Sequence, residues 1–571
     1  MLVVYVKSTT VRAGNRSYRY LTLVESFRDG TRVRQRVVAR LGEESELVAT
    51  GELDRIVTAL SARLGRSGTE ELSAEKAPAF GGVAAVAAYF SRLSLDELFD
   101  AAGRQRRARL VKDAVLAMVA NRLLLPTSKR RAITDWLGSD VALPEDIASP
   151  SLDQCYRALD VIADNKDAIE THCYSRLTNL ANLDLRLCCY DVTSTYFEGD
   201  VRESPRFPSK AFGFSRDHRQ DRPQVVIGLL VTGDGIPIAH HVFAGNTNDA
   251  STLPKVMADL QARFGVGKIA LVCDRGLINE ENLTQVAACG FDHVMATRLH
   301  RDPEVQAVLE EVSRDSAAFI EMHNPDCRVA EIEREGKRYV VAESDERKVR
   351  DDHRREELLQ RTEERLIALQ VRVRSGRLRD PAKIGAATER ILSSSGVARC
   401  FEMTIKDGFF SWSYDQDRLH YEEDLLAGRY VLTTSLSNKD ASAIDVVRHY
   451  RSLERVERRF RVLKDFLGLR PIYHFTEKRV RGHIALCVLA SVIEAVMARD
   501  LEAHHVMDPD LADQAISPRR ALRELERIRS VELSGTDGRS RKVITRPGLF
   551  QKEILVAFEV DTSSWRSQLS A

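Results

Sequence analysis

Apolar and polar positions change period several times along this chain, and each change marks a boundary between elements. Leu2–Val6, Tyr18–Val24 and Thr31–Leu41 are β-rich, and the Arg28-Asp-Gly30 turn between the last two predicts a hairpin. The second arm alternates Arg32, Arg34 and Arg36 with other residues, giving a basic face that suits a DNA groove or a charge-protected sheet edge. Residues 50–66 read as a helix and Gly65–Ala77 as a linker. From Phe80 to Asn182 the period is helical, as in Leu110, Ala114, Val115 and Met118. Residues 183–299 then turn to α/β texture. Strands are predicted at Leu185–Tyr196, Val225–Val231, Ile236–Phe243, Lys268–Cys273 and Asp292–Thr297, with a helix at Glu280–Ala288. Thr232-Gly-Asp-Gly235 joins the second and third strands as a hairpin turn.

Between 300 and 440 the texture is mixed. Arg347–Arg374 is a charged helix, read as a solvated arm or an oligomer contact, and Pro381–Leu392 is a second helix. Phe401–Ile405, Phe409–Tyr414 and Tyr430–Thr434 read as strands. One helix is predicted over about Asp445–Phe466 and an apolar one over Val480–Arg499. The last 70 or so residues hold a helix at Pro518–Arg529 and strands at Lys542–Thr545 and Ile554–Val560.

Composition narrows the class. With 43% hydrophobic and 30% charged residues, the chain suits packed cores under a soluble surface. The net charge of +1 is neutral on partners, but its distribution is not: Arg448–Arg481 holds eleven Lys/Arg against four Asp/Glu. Such a cluster is either a solvated helix face or a site for a polyanion. Ser128-Lys-Arg-Arg131 can cap a helix and present Lys129 and Arg130 to phosphates. Arg104, Arg106, Arg107 and Arg109 form another basic cluster. The nine cysteines contain no Cys-x-x-Cys pair, which points to a reducing cytoplasm rather than to zinc or disulfides. The longest apolar stretch, Ile484–Ala498, is too short to span a bilayer and includes Glu494, so no membrane role is expected.

Three acids carry candidate chemistry. Asp191, in Cys-Cys-Tyr-Asp-Val-Thr, and Asp274, in Leu-Val-Cys-Asp-Arg-Gly, each follow an apolar strand-like run. Either alone is accounted for by a turn or a helix cap. Glu457 lies on the basic helix, where an i,i+4 pair with Arg461 would account for it. Seven-residue spacing, however, places Tyr450, Glu457 and Lys464 on nearly one helical face, a carboxylate flanked by two phosphate-oxygen donors. Distant carboxylates converging on one point suit two divalent cations, Mg²⁺ or Mn²⁺, acting on a phosphodiester.

With these residues the chain resembles the DDE transposases of bacterial insertion sequences, whose third acid lies in a Tyr-x2-Arg-x3-Glu-x6-Lys signature. Asp191, Asp274 and Glu457 match the three acids, and Tyr450 and Lys464 match the signature. Leu453 stands at its Arg position, leaving Arg455 or Arg458 to take over a phosphate contact. The resemblance implies an α/β fold: a ribonuclease-H-like catalytic core at 183–299 and 441–500, interrupted by a mixed, partly β insertion domain at 300–440. An N-terminal β-ribbon domain (1–75) and a helical domain (76–182) are expected to bind DNA, and 501–571 to serve dimerisation. It also implies catalytic and metal-binding roles for Asp191, Asp274 and Glu457, with two Mg²⁺ or Mn²⁺ ions per active site. DNA contacts are expected from Tyr450, Lys464, Arg455, Arg458, Arg461, Lys129 and Arg130. Trp412, the single Trp of the insertion, is a candidate base-stacking residue as well as a candidate core residue. The implied partners are double-stranded DNA, as terminal inverted repeats and as target, and a second copy of the chain in an active homodimer. A bacterial cytoplasmic enzyme, nucleoid-associated when DNA-bound, follows. Two alternatives stay open: a related nuclease that cuts without joining, and an inactive DNA-binding descendant.

Overall fold

The computed structural model describes residues 3–13, 16–29, 32–63, 73–101, 106–181, 186–199, 207–264, 269–277, 279–297, 299, 302–314, 319–322, 327–406, 409–534, 540–563 and 565. Arg104 and most of the expected 65–77 linker lie outside these residues, as do the side chains of Arg106, Arg107 and Arg109. The chain divides into two compact units, one of residues 1–77, 530–543 and 565–571, the other of 78–529 and 544–564.

In the first unit β1 (Val3–Ala13), β2 (Arg16–Asp29) and β3 (Arg32–Glu43) form an antiparallel sheet. The β2–β3 ladder sets Arg36 opposite Glu25, and the two side chains pair across it. Helices α1 (Glu44–Ala49) and α2 (Glu52–Arg63) follow, and β4 (Ser73–Lys76) pairs with Ser530–Ser534.

The second unit starts with the expected helices: α3 (Gly81–Arg92), α4 (Leu95–Ala101), α5 (Arg106–Leu124), α6 (Lys129–Arg131), α7 (Leu152–Asp164) and α8 (Lys166–Ala181). The α/β stretch gives β5 (Leu187–Tyr196), β6 (Gln224–Thr232), β7 (Pro237–Ala244), α9 (Leu253–Phe264), β8 (Ala270–Cys273), α10 (Glu280–Ala288) and β9 (Asp292–Ala296). β5, β6 and β7 form an antiparallel meander, and β8 and β9 add in parallel on the other side of β5. β6 is buried along its whole length, which explains its unbroken apolar run.

The stretch at 300–440 departs from a separate insertion. After α11 (Pro303–Arg314), β10 (Ile320–Glu321), β11 (Cys327–Arg334), β12 (Lys337–Ser344) and, later, β15 (Arg429–Thr434) continue the core sheet. Among the described residues the order is β10-β11-β12-β15-β9-β8-β5-β6-β7, nine strands. α11 packs on this extension through Val305, Val308, Leu309 and Val312. The remainder has its own small core: α12 (Asp345–Arg374), α13 (Pro381–Ser393), the hairpin β13 (Phe401–Lys406) and β14 (Phe409–Tyr414), and α14 (Gln416–Tyr421). α12 reads as solvated because its apolar residues are sparse, yet Leu366, Leu369 and Val373 bury one stripe of it.

The single helix expected at 445–466 is three pieces. α15 (Ala443–Arg451) opens on a capping box from Ser442 and Asp445, α16 (Leu453–Arg461) follows after Ser452, and Val462–Phe466 is one π-helical turn. α17 (Glu477–Ala503) is buried nearly all round, packed on α5, α7 and β7. Near the C-terminus Leu549–Ala557 is a helix where Ile554–Val560 reads as a strand. Ile554, Leu555, Ala557 and Phe558 are buried, a helical rather than alternating pattern.

Candidate active site

The register of the central strands brings the first two acids together. β5 and β8 run parallel with Tyr190 opposite Cys273, so the next residues along each strand are Asp191 and Asp274. Asp274 follows the end of β8 and its carbonyl accepts from the Leu277 N–H at 3.0 Å, whereas Asp191 lies inside the longer β5. α16 packs against β5 and β6 and carries Glu457. All three acids line one cleft of about 520 Å³, together with Tyr450, Leu453 and Glu454 from the helices and Arg347 and Arg350 from α12.

The electrostatics of the cleft centre on Asp191. Burial pushes its carboxyl up to about 7, opposed by a hydrogen bond at 2.7 Å from the Val192 N–H. The charges of Asp274 and Glu457 push it the same way, and that of Arg216 pushes it back. A buried carboxyl whose charge is disfavoured by two neighbouring acids, all three offering hard oxygen donors, is a donor set that a divalent cation would relieve. Among the described residues, no three His, Cys, Asp or Glu side chains are grouped tightly enough to hold a metal ion. The acids therefore share a cleft without forming a closed cage.

The expected Tyr–Glu–Lys stripe is split. Tyr450 lines the cleft, its ring 5.7 Å from that of Tyr430. Lys464 does not: on the π-helical turn its Nζ donates to buried Asp217 at 2.8 Å, and Arg470 donates to the same oxygen. Seven-residue spacing keeps residues on one face only while the helix stays α, and Ser452 and the π turn both break that condition.

The other expected phosphate contacts sort by burial. Lys129 is buried with its Nζ 2.8 Å from His483 Nδ1, and burial, with the Arg122 charge adding to it, pushes its pKa down to about 7. This corrects its reading as a phosphate contact, because the Ser128 cap turns the first Lys of the basic run inward. Arg130 beside it is exposed. Arg455 donates to the Gly233 carbonyl on the β6–β7 turn, and Arg458 and Arg461 are exposed. Trp412 packs edge-on against Phe401 and Tyr414, at 5.8 and 5.7 Å, as part of the small core beside α12.

Sequence reasoning missed Arg347, Arg350, Tyr430 and Arg216. The Arg347 guanidinium lies 5.1 Å over the Tyr430 ring, a contact between residues 83 positions apart for which no spacing gives a signal. Leu453, where the signature has Arg, itself lines the cleft, while the guanidinium groups there belong to Arg347, Arg350 and Arg451.

Residues 184–493 match the model described as a transposase DDE domain, and residues 6–73 match that of the IS1634 family transposase N-terminal domain. No curated protein matches the chain.

Proposed function

The chain belongs to the DDE transposases of bacterial insertion sequences, and on that premise we propose that it binds the terminal inverted repeats of its element, cleaves DNA at the ends and joins them to target DNA. The observation that carries this reading is the shared cleft of Asp191, Asp274 and Glu457, with Asp191 raised to about 7. An antiparallel β5–β6–β7 meander with β8 and β9 added in parallel supports a ribonuclease-H-like core.

Once Asp191, Asp274 and Glu457 close in from their spacing in the metal-free cleft, they would hold two Mg²⁺ or Mn²⁺ ions, which would supply Lewis-acid stabilisation and an activated oxygen nucleophile at the phosphodiester. Burial and the neighbouring acids raise the Asp191 carboxyl in the metal-free cleft, so loading a cation there releases a proton and apparent metal affinity increases with pH. Tyr450, Arg347 and Arg350 position phosphate oxygens from the cleft walls, filling the place that Leu453 leaves without a cation. Arg455, Arg458, Arg461 and Arg130 contribute contacts outside the cleft. Two DNA ends processed together call for two copies of the chain in the active complex. A plasmid assay supplied with pre-cleaved element ends in Mg²⁺ tests the reading: joined products are expected, and cleavage without any joining would reduce the protein to a nuclease.

A further inference from the structure

A second cavity, about 830 Å³, lies on the other flank of α15 and α16 from the acids. Its walls are those two helices, the C-terminal half of α17 and the β6–β7 turn at Asp234–Ile236. Six arginines line it, Arg448, Arg451, Arg455, Arg458, Arg459 and Arg499, against three acids, Asp234, Glu454 and Glu502. Arg451 and Glu454 line both this groove and the acidic cleft, so the two meet at the junction of α15 and α16 around Ser452.

Packing gives the groove fixed walls. Arg459 makes a buried ion pair with Glu494 that ties α16 to α17. Gly235, at positive φ, lets the turn approach so closely that an added Cβ would lie 3.2 Å from Arg455 Cβ. Arg455 is then anchored to the Gly233 carbonyl. Arg458 stays exposed on the rim. The lining mixes Ile236, Ala495 and Ala498 with guanidinium groups, of which Arg448 also pairs with Asp445 at 3.1 Å and Arg455 with Asp234 at 3.5 Å; guanidinium groups held in place this way bind phosphate oxygens in a planar fork.

The geometry points to this groove as the track for the DNA backbone beyond the cleft. It receives the duplex phosphates flanking the scissile position once the strand has passed over the Ser452 junction. The inference rests on the DNA substrate proposed above. It adds a site on the opposite flank of the helix, with contacts to phosphate rather than to bases. Phosphate contacts release counterions, so each should add about 0.9 to the slope of log affinity against log salt, whatever the sequence.

The test measures binding of the full chain to a duplex carrying an element end and to a scrambled duplex, by fluorescence anisotropy in EDTA over a range of KCl. Arg448→Ala/Arg458→Ala/Arg499→Ala is expected to lower the salt slope by about 2–3 and to weaken both duplexes in parallel. Arg458→Ala alone, at an exposed position that does not endanger folding, should lower it by about 1, and Arg458→Lys should restore it. An unchanged slope in the folded single variant would overturn the groove. Because binding is read without metal, failure of the wild-type protein to cut in Mg²⁺ would defeat the proposed function separately.

Discussion

Asp191 shows how one side chain can be costly to the fold and necessary to the site. Burial pushes its carboxyl in the folded chain up to about 7, above the ordinary aspartate value of 3.8. Below about pH 4 it is protonated in both folded and unfolded chains and has no effect on stability. Between about 4 and 7 the folded chain holds a proton that the unfolded chain has lost, so stability falls as pH rises, and above 7 the full cost is present. Asp191→Asn should therefore stabilise the metal-free protein at pH 8 by about 1–3 kcal/mol, with the gain vanishing near pH 4. Urea unfolding in EDTA at the two pH values measures this. Lys464 predicts the opposite kind of result. Lys464→Ala leaves buried Asp217 with Arg470 alone and should cost about 2–4 kcal/mol, whereas Arg461→Ala, exposed, should change stability by less than about 0.5 kcal/mol. Lys129 and Lys464 were legible in the sequence as cations but not as buried and part-buried ones, because burial depends on partners, His483 and Asp217, far away in the chain.

Among the elements, α12 was the least legible. Its first turns carry Arg347 and Arg350 into the cleft, while its later turns bury Leu366, Leu369 and Val373 against the β13–β14 hairpin. Its charged run reads as a solvated arm because both functions depend on tertiary contacts. If α12 supplies the guanidinium that the signature lacks at Leu453, Arg350→Ala should lower kcat/KM for end cleavage by about tenfold or more. Leu453→Arg in the same chain should restore part of that loss. Steady-state cleavage rates of the single and double variants decide this. α17 gives a purely structural prediction. An added Cβ at Gly482 would lie 2.1 Å from the Leu159 carbonyl oxygen of α7, so Gly482→Ala should cost about 2–3 kcal/mol by thermal unfolding.

At the scale of the whole molecule, the strands of the core were legible from their apolar runs, and the helices before them from their period. Membership of the sheet was not. β15 reads as a strand of an insertion and β11 and β12 are not read as strands at all, because local patterning identifies a strand at best and never its neighbour; among the described residues the pairing of β15 with β9 joins the two halves. The convergence of Asp191 and Asp274 could be anticipated from two strand-like runs, but their adjacency depends on the parallel β5–β8 register. The central claim is that these two acids and Glu457 act together as one metal-dependent site. The most direct measurement is Mg²⁺-dependent cleavage of a plasmid carrying the element's ends by Asp191→Asn, Asp274→Asn and Glu457→Gln, with DNA binding in EDTA recorded alongside. Each variant should lose cleavage by at least about a thousandfold while binding DNA nearly as the wild type does. Wild-type cleavage by any one of the three would contradict the account.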